Sequence, residues 1–328
     1  MPDRSQSRAW VALLLVLLAA GCSGVVEALH ASPTRVTAKD PGGLYPDFLF
    51  ARSRVVAIGD IHGDLQAARR ALQLAGATDA KDRWIGGDLV IVQVGDILDR
   101  GDGEREILDL LQRLEVEAKA KGGRLIQLLG NHEAMNAQGD FRYVTAAGMA
   151  DFDTTAGLDL TAPDMEQRAD VARARRVAFQ PGGVFARRLA RLAVAVRVGD
   201  TVFVHAGLLP RYARIPISSL NKASRVWLQG GGPFPEWMDD TNGPLWTRAY
   251  TESDRQTCAT LGEALALLKA SRMVIGHTVY RKGIESACDG ALWRIDTGMS
   301  KAFGGVIEVL EIAKDRVKVL RGAPAASP

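Results

Sequence analysis

Along this chain, short apolar runs end in glycine and then turn abruptly polar. RVVAIGD (Arg54–Asp60), LVIVQVGD (Leu89–Asp96) and RLIQLLG (Arg124–Gly130) are three of them. Their apolar residues are nearly continuous rather than alternating, which predicts strands buried on both faces. Between them, Asp64–Ala75 and a stretch from about Glu104 to Lys121 carry apolar residues three and four apart, the period of an amphipathic helix. Strand–helix–strand repetition predicts an α/β domain with right-handed crossovers and a mainly parallel sheet. The Gly86–Asp88 step precedes its strand and reads as a hairpin turn.

Downstream the pattern loosens. Residues 137–192 read as a mostly helical, cap-like insertion. AVAVRV and TVFVHAG, joined by Gly199–Asp200, predict a hairpin. Further strands are expected at Arg272–His277, Ala291–Asp296, Gly305–Ile312 and Arg316–Leu320. The domain so outlined covers 51–322, preceded by a linker over 22–50 and followed by an Ala- and Pro-rich tail, 323–328.

Composition adds limits. A chain of 328 residues with 47% hydrophobic and 24% charged residues can bury a full core. A net charge of +3 gives no ground for nucleic-acid binding driven by bulk charge. At the N-terminus, Arg4 and Arg8 precede the apolar run Trp10–Ala20, too short to cross a bilayer comfortably. It fits a signal peptide over 1–21. LAAGC resembles the lipobox of bacterial lipoproteins, which implies lipid on Cys22 and a periplasmic, membrane-anchored location in the cell envelope. A plain signal peptide, or an uncleaved segment tethering the chain to the membrane, is the alternative. In an exported chain, Cys258 and Cys288 are a candidate disulfide, with two separate thiols the other reading.

Candidate chemistry gathers where the strands end. The first gives Asp60 and His62, the second Asp96, Asp99 and Arg100, the third Asn131 and His132. TVFVHAG adds His205 and RMVIGH adds His277. Four of the five histidines thus point to the crevice outside the strand C-termini, where open α/β sheets bind ligands. Carboxylate, amide oxygen and imidazole together suit two divalent ions such as Mn, Fe or Zn. Asp96, on the central strand, would bridge them. Asp60 and His62 would complete one site, and Asn131, His205 and His277 the other. Two such ions about 3.5–4 Å apart lower the pKa of a bound water and neutralise an attacked phosphate. Arg100, followed by a turn at Gly101, would present a guanidinium fork to that phosphate.

GDIHG, GDILDRG, GNHE, HAG and the later GH resemble, in order, the signature series of the PPP-type metallophosphoesterases. GNHEAMN and GPLWTR resemble their Shewanella-like, bacterial-type branch. The resemblance implies an α/β/β/α sandwich and a dimetal phosphomonoesterase, a phosphatase of phosphotyrosine or phosphoserine/threonine. It implies direct attack by a metal-bound hydroxide, without a phosphoenzyme. It makes His132 the acid that protonates the leaving group and Asp99 the residue that orients it. It adds Arg248 and Asn131 to Arg100 as phosphate contacts. The alternatives are a phosphatase of small molecules or dinucleoside polyphosphates and, more remotely, a non-catalytic envelope lipoprotein.

Other features carry less. Arginines 168, 173, 175, 176, 187, 188, 191 and 197 read either as a basic rim for acidic substrates or as a solvated face with local Asp and Glu partners; the second is preferred. GGGPFPEW lacks the Lys-Ser/Thr of a P-loop and reads as a loop near the site mouth. Asp296 and Met299 are strand-end residues to which no chemistry is assigned.

Overall fold

The computed structural model describes residues 47–50, 54–152, 170–313 and 316–322. The signal segment, Cys22, most of the linker, the insertion between 153 and 169 with Arg168, and the tail from 323 lie outside the described residues. Among the described residues, no helix is long and apolar enough to cross a membrane.

The strands are β1 (Phe48–Leu49), β2 (Val55–Ile58), β3 (Val90–Gln93), β4 (Arg124–Gln127), β5 (Ala195–Val198), β6 (Thr201–Val204), β7 (Arg272–Ile275), β8 (Glu285–Ala287), β9 (Leu292–Arg294), β10 (Glu308–Ala313) and β11 (Arg316–Arg321). The helices are α1 (Leu65–Leu74), α2 (Glu104–Ala120), α3 (Asn131–Gln138), α4 (Ala146–Ala150), α5 (Asp170–Phe179), α6 (Val184–Leu189), α7 (Pro210–Ala213), α8 (Ile217–Leu228) and α9 (Arg255–Leu268).

Two sheets form, as the resemblance to an α/β/β/α sandwich implies. The first runs β11-β10-β2-β3-β4, with β2, β3 and β4 parallel and β10 antiparallel to both β2 and β11. The second runs β1-β5-β6-β7-β9-β8 and mixes both directions. The expectation of a mainly parallel sheet therefore holds for the β2–β4 and β6–β7–β9 segments and the short β1–β5 pair. Successive side chains of a strand point to opposite faces. Val55, Ala57, Val90 and Val92 thus meet Val196, Phe203 and Val274 between the sheets. Val56, Ile58 and Ile91 pack outward, in the cluster that includes Ala68 and Leu72 of α1 and Ile107 and Leu111 of α2. Helices α8 and α9 supply Leu220, Trp227 and Leu261 to the same outward-facing class. The result is the α/β/β/α sandwich.

Two local readings are corrected. Phe48 and Leu49, placed in the linker, form β1 and pair in parallel with Arg197 and Val198 of β5. Asp47 adds a side-chain bond from Asn221 of α8, so the domain begins before residue 51. Two apolar residues inside a polar stretch were too short a pattern to read. The Gly86–Asp88 turn leads into β3 but joins it to no antiparallel partner, because β3 lies between the parallel β2 and β4. An isolated bridge between Thr78 and Trp84 precedes it instead.

Cys258 of α9 is disulfide-bonded to Cys288 after β8, with Cα atoms 5.3 Å apart. The bond closes a loop with a sequence separation of 30 residues. Cys288→Ser is expected to lower stability by roughly 2–4 kcal/mol. Thermal unfolding without reductant measures this, and a reductant should bring the native protein down to the variant.

Candidate active site

The site is assembled by loops that follow β2, β3, β4, β6 and β7. They can approach closely because glycines stand where they cross. A Cβ on Gly130 would lie 2.4 Å from the Asp96 amide nitrogen, and one on Gly101 would lie 2.6 Å from the Gly63 carbonyl oxygen. His62, Asp96, Asp99, Arg100 and His277 adopt left-handed φ values of 48 to 69°. Such backbone costs about 1–3 kcal/mol per residue and persists only where the surroundings over-determine it.

Asp96 is the hub. Its Oδ2 lies 3.4 Å from His205 Nε2, 3.6 Å from His62 Nε2 and 3.9 Å from His132 Nε2. Burial alone would raise its carboxyl, but the surrounding imidazoles of His205, His132 and His62 hold it well below the ordinary carboxylate range. Carbonyls fix the histidine tautomers. A carbonyl only accepts, so His62 Nδ1 donates to Leu98 O (3.1 Å), His205 Nδ1 to Val94 O (2.9 Å) and His277 Nε2 to Trp246 O (3.1 Å). In a neutral ring the remaining nitrogen then carries a lone pair into the site, the arrangement that orients metal-ligating histidines. Burial drives His62 down to about 4 and His277 down to about 3, so both rings are neutral.

Asn131 Oδ1 lies 2.9 Å from both His205 Nε2 and His277 Nδ1. Its Nδ2 is turned toward Met135 Sδ at 3.9 Å, so the oxygen rather than the nitrogen faces the cluster. Asp60 Oδ2 accepts from His277 N at 3.0 Å, while its buried Oδ1 has no partner. Burial pushes the Asp60 carboxyl well up, and the charges of Asp296 and Asp96 add to this. Acceptors facing acceptors, with one carboxylate oxygen orphaned, are what divalent cations satisfy. His62, Asp96 and His132, and Asp96, His205 and His277, are groups able to hold them.

His132 is different. Its Nδ1 lies 2.5 Å from Asp99 Oδ2, and its backbone nitrogen donates to Asp96 Oδ1 at 3.0 Å. Burial lowers an imidazole, but Asp96 and Asp99 outweigh that and raise it. The ring is thereby oriented with Nε2 toward the Asp96 centre. Arg100 sits between Tyr143 and Phe303, its guanidinium carbon 4.4 and 4.9 Å from their ring centres, and its Nε has no partner. Arg248 is exposed, bonds Thr278 Oγ1 at 2.8 Å, and lowers His277 through its charge.

Glu133 does more than open α3. It is fully buried and accepts from Asp96 N, Ile97 N, Leu98 N and Gly130 N at 2.7–3.1 Å. It thereby ties the loop carrying Asp96 to the helix carrying His132. Burial raises its carboxyl to about 7, and the Asp96 charge adds to this. Glu133→Ala leaves those donors buried and unpaired, and should cost roughly 3–5 kcal/mol. Urea unfolding measures it.

Three contributors escaped the sequence reading. Asp296 is buried, raised to about 6 by burial and by Asp96, and its Oδ2 has no donor. Its strand-end position was the available signal. Tyr143 and Phe303 clamp Arg100 from remote segments and left no signal. The arginine-rich stretch also needs correction. Arg175 is neither rim nor solvated face: it is fully buried and points inward. Arg188 and Arg191 do pair locally, with Asp109 and Glu115 of α2.

The model of the calcineurin-like phosphoesterase family matches residues 53–281. Shewanella-like protein phosphatase 2 of Arabidopsis thaliana is 39% identical over 307 residues, covering 83% of this chain and 78% of that protein. Shewanella-like protein phosphatase 1 of Plasmodium berghei is 30% identical over 258 residues, covering 75% and 67%. The solved cold-active protein-tyrosine phosphatase of a psychrophilic Shewanella species shares the fold, with a TM-score of 0.67 at 22% identity over 85% of this chain and 83% of that one. The chain belongs to the calcineurin-like phosphoesterase family, metal-dependent hydrolases that act on phosphoesters at a dimetal centre.

Proposed function

We propose that this chain is a protein phosphatase, acting on phosphotyrosine or phosphoserine/threonine, in which His132 protonates the leaving oxygen. The observation that carries this is the His132–Asp99 contact of 2.5 Å beside the Asp96 cluster. Asp60, His62, Asp96, Asn131, His205 and His277 would hold two divalent ions (Mn, Fe or Zn). Such ions supply an activated water and neutralise phosphate charge when bound. Arg100, with an unpartnered Nε, and Arg248, at the exposed edge beside His277, hold phosphate oxygens and set the ester in line for attack. The Asn131 oxygen, 2.9 Å from His205 Nε2 and His277 Nδ1, supports metal ligation, and Asn131 joins the two arginines as a phosphate contact. Asp99 keeps the His132 Nδ1 proton in place, so the other ring nitrogen delivers a proton as the phosphorus–oxygen bond breaks.

The test is a substrate panel with metal analysis: phosphotyrosine and phosphoserine peptides, nucleotides and diadenosine tetraphosphate. Phosphopeptides should be turned over fastest. Preference for the dinucleotide would sink the protein-phosphatase reading. After one turnover in oxygen-18 water, the label should appear in released phosphate with no phosphoenzyme trapped.

Arg4, Arg8, the Trp10–Ala20 run and Cys22 support export and lipid attachment. The Cys258–Cys288 bond fits an oxidising compartment. Mass spectrometry of the protein from its native host should find lipid on Cys22; an intact Met1 or a bare Cys22 would end this reading.

A further inference from the structure

Helix α5 lies in the insertion, yet one of its side chains ends behind the His132–Asp99 pair. Arg175 grips Glu104 through both carboxylate oxygens, at 2.5 and 2.9 Å. Its Nη1 also donates to Gly148 O at 2.8 Å, and its Nε to Asn136 Oδ1 at 2.8 Å. Phe152 and Phe179 lie against the guanidinium, each 5.0 Å away. Three lines lead from it to Asp99: its Nη2 lies 3.5 Å from Asp99 Oδ1 directly, and two more run through its partners. Glu104 Oε1 accepts from Asp99 N at 2.5 Å, and Asn136 Nδ2 donates to Asp99 Oδ1 at 2.8 Å. Asp99 Oδ2 then remains for His132 Nδ1.

We propose that Arg175 is a positioning residue for proton delivery by His132, which rests on His132 being the acid. The physical reason is directional. An amide can face either way, and the Nε bond to its oxygen obliges Asn136 to present its NH₂ to Asp99 Oδ1. The same guanidinium balances Glu104, whose uncompensated charge would otherwise sit beside Asp99 in a dry interior. With its backbone and one oxygen fixed, Asp99 holds the imidazole in a single orientation. Only a planar fork reaches both Glu104 and Asn136, so lysine is no substitute. The insertion thereby supports the chemistry from behind.

The experiment is a leaving-group comparison. Arg175→Met alone strands a buried carboxylate, so the main variant is Arg175→Met with Glu104→Gln, which removes both charges and keeps an acceptor for Asp99 N. Thermal unfolding checks that it folds. A p-nitrophenolate leaves without a proton, whereas a serine alkoxide needs one. Expected is a kcat lower by about 10- to 100-fold for a phosphoserine peptide, with p-nitrophenyl phosphate changed by less than about threefold and KM steady. Adding Asp99→Asn to this variant should cost less than Asp99→Asn does in the native protein. Arg175→Lys should show the same selectivity at smaller size. Parallel losses on both substrates, or independent effects of Asp99 and Arg175, would overturn the proposal. If His132→Ala itself shows no leaving-group dependence, the acid assignment falls and takes the positioning role with it. If only the Arg175 variant lacks it, the positioning role alone falls.

Discussion

Asp96→Asn is expected to remove most of the bound divalent metal and reduce turnover on the order of a thousandfold. The reason is the place of Oδ2, within 3.4–3.6 Å of the facing nitrogens of His205 and His62. An amide is nearly the same shape, and its oxygen can still accept from His132 N as Oδ1 does at 3.0 Å. The fold should therefore survive while the charge shared by the two ligand groups is lost. Charge stabilisation by bound metal is worth several kcal/mol, and about 4 kcal/mol corresponds to that factor in rate. Metal content after dialysis and hydrolysis of an aryl phosphate check it together. Full metal content with near-native turnover would remove Asp96 from the centre.

His132→Ala should separate chemistry from metal binding. His132 Nε2 is near Asp96 Oδ2, and the residue groups with His62 and Asp96 as a potential metal cluster. Its other nitrogen, however, is committed to Asp99. Expected is a kcat lower by about 10²–10⁴-fold on phosphoserine peptides, the range for a lost general acid. The loss should shrink on p-nitrophenyl phosphate, and metal content should stay at the native level. Loss of metal in this variant would make His132 a ligand rather than the acid.

What was legible in the chain had local causes. Continuous apolar runs at Arg54–Asp60, Leu89–Asp96 and Arg124–Gly130 marked the parallel strands, and their polar ends marked the loops of the site. Asp60, His62, Asp96, Asn131, His205 and His277 do converge there, because parallel strands deliver all their C-terminal ends to one edge. The helices over Asp64–Ala75 and Glu104–Lys121 were equally clear, since a period of three to four residues needs no partner to be read.

Tertiary structure decided the rest. Strand pattern gives no partner: the two sheets were implied by family resemblance alone, and their strand order and the entry of Phe48–Leu49 came only with packing. Charge in sequence says nothing of direction along a helix face. Arg175 sits among arginines that suggest a surface, yet its guanidinium turns inward because Glu104 and Asn136, far away in the chain, offer matched oxygens in a dry site. Glu133 stands in the first turn of α3, and only folding lays the amides of the loop after β3 onto its carboxylate. The sequence by itself marked the strand-end residues that gather around Asp96. Only the folded chain decided which nitrogen of each histidine faces the site and what stands behind Asp99, because those depend on carbonyls and carboxylates that no local spacing can place.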